Sequence, residues 1–202
     1  MTTNNTDGTT ASTDARVRLL DAARQAFAEK GYSGTTTRDI ASRAGMSPAA
    51  VYVHHRTKED LLFEISLSGH KAALEVINSA AAAHEVPLDQ IAAMVREFSR
   101  WHAIYSRTGR IVQYEFGSLT PEHRAEIAGY RRGIEERVRE SLAAGVADGT
   151  LDVADIPGTA LALLSLSIDL VRWYEPGGKI APDEIANLHA ALATKMIAMQ
   201  GA

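Results

Sequence analysis

From Asp14 to Lys30 apolar residues return every three or four positions, Leu20, Ala23 and Phe27 with Leu19 and Ala26 beside them, which predicts a first amphipathic helix. Gly31 ends it, and Tyr32 is placed to fold back as a plug. A long helix is expected from Lys58 to about Ala83, turning Leu61, Leu62, Ile65, Ala72, Ala73 and Val76 inward, with Gly69 marking close packing or a bend. Past the break at Pro87, residues 88 to 107 carry the sharpest stripe of the chain, Leu88, Ile91, Val95, Phe98, His102 and Tyr105, flanked by Met94 and Trp101. Thr120 and Pro121 start a helix that runs to about Asp148 and stops at Gly149, with Ile127, Tyr130, Ile134, Val138 and Leu142 inside. Residues 155 to 175 are apolar almost all round, and 183 to 200 repeat Ile185, Leu188, Leu192, Met196 and Met199. The fold class is therefore all-α, with about nine helices.

Between the first helix and the long one lies TTTRDIASRAGMSPAAVYVHHRTKED, residues 35 to 60, which predicts two short helices, a tight turn and a third helix start. Thr37 is expected to cap a helix that turns Ile40, Ala41 and Ala44 inward, and Gly45 sits where a left-handed stop is wanted. Ser47 and Pro48 restart the chain as cap and first helical residue, and Thr57 with Asp60 caps the next helix. Two helices of about two turns joined through a glycine turn form a helix-turn-helix, which presents its second helix to a DNA major groove. Its first turn then lies nearest the base edges. This singles out Ser47, Pro48, Ala49 and Tyr52, and places Thr37, Arg38, Ser47, Tyr52, His54, Thr57 and Lys58 for phosphates. The second helix has no Asn, Gln or Arg for bidentate base reading, so DNA shape and paired half-sites are expected to carry much of the specificity.

Charge supports this stretch locally. Residues 33 to 58 hold Arg38, Arg43, Arg56 and Lys58 against Asp39 alone, on a chain whose net charge is −4. Cysteine is absent, which excludes disulfides and thiolate metal sites. The organisation expected is an untethered tail over 1–12, a helix-turn-helix DNA-binding domain over 13–58, and a helical effector-binding and dimerisation domain over 59–202. With no apolar leader at its start, the protein is expected in the cytoplasm.

The run AGMSPAAVYVHHRTKEDLLFEI resembles the headpiece of the TetR family of bacterial transcription regulators, A-G-V-S-x-G-x-L-Y-x-H-F-x-S-K-x-x-L. Ala44, Gly45, Ser47, Tyr52, His54, Lys58 and Leu61 match, and Met46, Val51 and Thr57 are conservative replacements. The resemblance implies backbone contacts to DNA by Thr37, Tyr52, His54 and Lys58. It departs at His55, which stands where the family usually has Phe; the imidazole is either packed and neutral or turned outward to DNA.

In the rest of the chain the polar tips inside an apolar row matter most. Met94, Phe98, Trp101, His102, Tyr105, Arg110, Tyr114 and Tyr130 are candidate ligand-lining residues, because a cavity with a few polar groups is what small-molecule sites look like; satisfied core residues are the other reading. An all-apolar helix at 155–175 needs cover on more than one side, so it and the last helix are expected to form a homodimer interface. Pro157 and Asp169 interrupt it and argue against a membrane span. The link RWYEPGGKIAPDEIA resembles a subset of TetR regulators that respond to acyl-CoA thioesters, through Arg172, Trp173, Tyr174, Pro176, Gly177 and Gly178.

These observations predict a homodimeric repressor that reads palindromic double-stranded DNA and is released by a mostly apolar effector, with the resemblance extending to an acyl-CoA. A body that only dimerises or binds a co-repressor is the alternative. No H-E-x-x-H, G-x-S-x-G, Walker or G-x-G-x-x-G pattern occurs, so an enzyme is the remote reading; no metal site or cofactor is expected.

Overall fold

Side-chain caps at Thr36, Ser47, Thr57, Thr120 and Asp155 start five of the helices. In this computed structural model, residues 7–199 are described, without the side chains of residues 7–13 and of His54. The elements are α1 (Asp7–Gly34), α2 (Thr37–Arg43), α3 (Pro48–His54), α4 (Lys58–Ala82), α5 (Pro87–Ile104), α6 (Ser106–Tyr114), a 3-10 turn (Phe116–Ser118), α7 (Pro121–Ala147), α8 (Ile156–Ile168), α9 (Leu170–Trp173) and α10 (Pro182–Ile197). The fold is all-α, and no strand occurs among the described residues. The expected nine helices become ten segments because the eighth breaks at Asp169, whose carboxylate pairs with Arg172 at 2.9 Å. By length and composition alone, residues 156–173 are long and apolar enough to cross a membrane, as core helices of many proteins are. The helix nevertheless breaks within that stretch, at the Asp169 expected to interrupt it.

α1 begins at Asp7, so the tail expected over 1–12 is helical from 7 onward; extending a formed helix is far easier than nucleating one. Residues 1–6 of that tail lie outside the described residues. α1 reaches Gly34 only through a kink at Gly31, whose φ of 72° is the left-handed stop expected there.

Two compact units are distinguished, 1–68 with 111–124, and 69–110 with 125–202. In the first, Leu19, Ala23, Phe27, Ile40, Ala41, Val51, Leu61, Leu62 and Ile65 are buried, as their spacing required. In the second, Ile77, Ile91, Met94, Phe98, Val138, Leu142, Leu163 and Ile197 belong to one apolar core drawn from α4, α5, α7, α8 and α10. Within that core Ser99 and Ser167 hydroxyls lie 2.9 Å apart, and Ser99 is also 2.9 Å from His189 Nδ1, so the buried polar atoms of three helices satisfy one another. Gly145 allows α7 to meet the Leu151 side chain, where a Cβ would collide. Gly69 meets nothing within 4 Å, so close packing does not explain it.

Candidate nucleic-acid interface and effector site

The helix-turn-helix is assembled from reciprocal caps. Thr36, not Thr37, caps α2: its hydroxyl accepts from Asp39 N at 3.1 Å, and its own N–H donates to Asp39 at 2.9 Å, a capping box closed one residue earlier than expected. Burial of Thr35, whose hydroxyl donates to Gly31 O at 2.7 Å, fixes the chain just upstream and sets that register. Thr37 becomes the first helical residue, and its hydroxyl lies 3.4 Å from the Tyr52 hydroxyl, tying the start of α2 to α3. Gly45 carries the turn at φ 66°. Ser47 accepts from Ala50 N at 3.2 Å and starts α3 with Pro48. Thr57 and Asp60 cap α4 reciprocally at 3.0 and 2.8 Å.

These caps leave one face of α3 outward. Val51 is fully buried, whereas Pro48, Ala49 and Tyr52 are exposed and Val53 is 80% exposed. Val53 was not among the expected contacts, although the helix phase places it opposite Val51. Arg38, Ser47, Arg56 and Thr57 are exposed as well, and Arg56 too was missed, despite counting in the local charge. The His54 side chain lies outside the described residues.

Two of the four local cations serve the fold. Arg43 forms a forked ion pair with Glu29, one arm at 2.9 Å, and its Nη1 also donates to Gln25 at 3.2 Å. Lys58 turns inward from its expected phosphate role: Nζ donates to Tyr32 O at 2.6 Å and Thr35 O at 2.9 Å, and lies 4.2 Å from the Tyr32 ring centroid. The reason is chain geometry, since past the Gly31 kink the carbonyls at the end of α1 and just beyond it turn toward the ammonium as a donor. His55 is packed: it is 8% exposed, with Nε2 3.1 Å from a Glu64 carboxylate that also pairs with Arg16 at 2.6 Å.

A second tie in this unit joins distant sequence. Glu59 accepts from Thr120 N at 2.9 Å and lies 2.8 Å from His123 Nδ1, while the His123 ring stacks on Phe63 at 3.6 Å. Nothing in the local pattern announces this contact.

Among the candidate effector residues, Met94, Phe98 and His102 are buried along α5. Phe98 and Trp101 meet His102 edge-on, at 4.3 and 4.9 Å between centroids. Tyr105 leaves the stripe: α5 ends at Ile104, so Tyr105 is its C-cap and 51% exposed, though its ring remains 5.4 Å from that of Trp101. Arg110 is held elsewhere, Nε donating to Val171 O at 2.8 Å at the end of α9, where a cation suits the carbonyls. Tyr114 belongs to the first unit and is exposed, and Tyr130 is half-buried with Lys71 6.0 Å from its ring. The structure thus gathers Met94, Phe98, Trp101 and His102 along one helix and commits Arg110 to another.

Met94 and Phe98 pack against Ile77, Val138 and Leu163 along an apolar seam that is closed in this structure, with no space for a water molecule. Next to it, His102 Nδ1 is 2.9 Å from Phe98 O; a carbonyl only accepts, so Nδ1 carries the proton and Nε2 the lone pair. Burial holds this imidazole down to about 4, outweighing that hydrogen bond, and keeps it neutral.

Comparison with known proteins decides the family. Residues 19–65 match the bacterial regulatory proteins of the tetR family, and residues 84–197 match the tetracyclin repressor-like C-terminal domain. The chain belongs to the TetR family. A bacterial regulatory protein of that family from Rhodococcus RHA1 is 40% identical, with 93% of this chain and 98% of that one covered at a TM-score of 0.87. The HTH-type transcriptional repressor KstR2 of Rhodococcus jostii is 28% identical over 92% of both chains. AibR, solved in complex with isovaleryl coenzyme A and operator DNA, is 26% identical over 89% of this chain and 97% of its own, with a TM-score of 0.79. This TetR-family protein is accordingly a DNA-binding transcription regulator, of a family of regulators rather than enzymes.

Proposed function

We propose that this regulator is a homodimeric repressor, acting in the cytoplasm on a palindromic operator and released by a small-molecule effector with a largely apolar body. Residues 13–58 read DNA in this proposal, and residues 59–202 bind the effector and dimerise. The observation that carries the reading is the outward face of α3, with the two capped helix starts beside it. Backbone N–H groups and the hydroxyls of Thr37, Ser47, Tyr52 and Thr57 serve phosphates, joined by Arg38, His54 and Arg56. Pro48, Ala49 and Val53 offer apolar contact to thymine methyls. Lys58 contributes by holding the end of α1.

Dimerisation is supported by the apolar side chains that α8 and α10 leave in solvent: Leu161, Leu188, Leu192 and Met196 are 63, 53, 41 and 53% exposed. A two-fold pair of headpieces would address half-sites about 34 to 36 Å apart. The effector reading is supported by AibR, which was solved with an acyl-CoA; an acyl-CoA thioester is the first compound class to try.

The test is a fluorescence titration of DNA from the regulator's own upstream region at several salt concentrations, repeated with long-chain acyl-CoAs. Salt-sensitive, sequence-specific binding weakened by a ligand is the expected result. A ligand that tightens binding turns the repressor-release reading into a co-repressor one, and absence of specific binding to any palindromic fragment selected from its genome refutes the operator reading.

A further inference from the structure

We infer that Ala49 and Val53 make the outward face of α3 a reader of the pyrimidine 5-methyl group, so that thymines carry the base-specific part of the operator and 5-methylcytosine is accepted in their place. This rests on the DNA-reading proposal above and names the chemistry that the same face reads.

Val51 is fully buried and fixes which way α3 is turned. At about 100° per residue, Ala49 and Val53, two positions to either side of it, fall about 20° from the point opposite Val51. Both are exposed, Val53 at 80%. Pro48 and Tyr52 form the adjacent row, and the Tyr52 hydroxyl lies 3.4 Å from that of Thr37. The Ser47 hydroxyl is turned to Ala50 N at 3.2 Å. From Pro48 to Val53 the helix carries no charge and no amide, and its outermost line is built of methyl groups. A single exposed valine is ordinary on a protein surface. What marks this one is its place: with Ala49 it forms the outer edge of the second helix of a helix-turn-helix, on a headpiece whose exposed Arg38 and Arg56 supply the charge that draws DNA.

In the major groove thymine shows its O4 acceptor and its 5-methyl group, whereas cytosine shows an N4 donor and a bare C5. A surface without donor or acceptor does not tell O4 from N4. It does tell a methyl group from a hydrogen, because only the methyl adds apolar surface to withdraw from water. Loss of one such contact costs about fourfold in affinity, and of one in each half-site about fifteenfold. Cytosine methylated at C5 presents the same group at the same place, so this face also registers the methylation state of a cytosine.

The full-length protein first selects its site from a pool of random duplex DNA, and the selected duplex is remade with deoxyuridine for thymine, which deletes only the 5-methyl group. Fluorescence anisotropy at fixed salt is expected to show a loss of about tenfold or more when every half-site thymine is exchanged, and of less than about twofold for thymines outside the half-sites. A cytosine placed at a sensitive thymine position is expected to bind about fourfold more tightly once methylated at C5. Ala49→Ser with Val53→Ser, both at exposed positions, is expected to keep the parent's helical circular dichroism and to reduce the thymine–deoxyuridine difference below about twofold. Half-site exchange that leaves affinity within about twofold overturns the inference without any variant, and so does discrimination undiminished in the folded double variant. Both of these results leave the operator reading standing, whereas a pool from which no sequence is enriched removes the operator reading and this inference together.

Discussion

Lys58→Met tests whether the inward lysine is a positioning residue or a DNA contact. In the structure Nζ serves two carbonyls at 2.6 and 2.9 Å and the face of Tyr32. A hydrogen bond to a charged group contributes about 1.5 to 3 kcal/mol and an exposed cation–π contact about 0.5 to 1. The site is only half-buried, so water replaces part of the loss, and methionine keeps the apolar stem. The expected destabilisation is about 2 to 3 kcal/mol, against total stabilities of about 5 to 15. Urea unfolding followed by far-ultraviolet circular dichroism at fixed protein concentration reads this directly. The slope of log affinity for operator against log salt provides the control, because losing one phosphate contact reduces it by about 0.9. An unchanged slope with the stability loss supports the inward role. A slope reduced by about one unit with stability altered by less than about 0.5 kcal/mol refutes it.

Three further outcomes are expected. His102 binds a proton at about 4 when folded and near 6.5 when unfolded, so its contribution is complete above 6.5 and is lost as pH falls toward 4; the limit is about 3 kcal/mol, and His102→Phe should flatten that part of a stability–pH curve. Gly145→Ala drives a Cβ into Leu151 and to 3.1 Å from Pro87 Cβ; the clash, about 1 to 3 kcal/mol, exceeds the gain in helix propensity, so thermal melting should move down, and a rise would count against the packing described. Leu188→Glu with Leu192→Glu should convert a dimer into a folded monomer by light scattering, with helix content retained; an unaltered mass would place the dimer interface elsewhere.

What could be read from the chain was what short range determines. Gly45, Ser47, Pro48, Thr57 and Asp60 act on neighbours within four residues, and each appears in its expected role. Thr36 displaced Thr37 by one position because three adjacent threonines are equivalent caps until Thr35 is buried. The stripe along α5 gave Ile91, Val95, Phe98 and His102 correctly, and failed at Tyr105 because periodicity continues past a helix end that the fold imposes. Lys58 and Glu59 were illegible for another reason. Their partners, Tyr32 and Thr35 in one case and Thr120 and His123 in the other, lie 23 to 64 residues away, and an amphipathic pattern records only which side faces inward. His55 resolved as packed once Glu64, nine positions on, was found beside it.

The Glu59–His123 tie limits how this regulator can be re-engineered. A swap that fuses residues 1–68 to a foreign sensor, on the assumption that a headpiece is a self-sufficient cassette, would strip Phe63 of its stacked ring and Glu59 of both donors. The transplanted piece would carry a severed seam at the root of its last helix. A working chimera has to import 111–124 as well, which makes the portable module discontinuous in the gene.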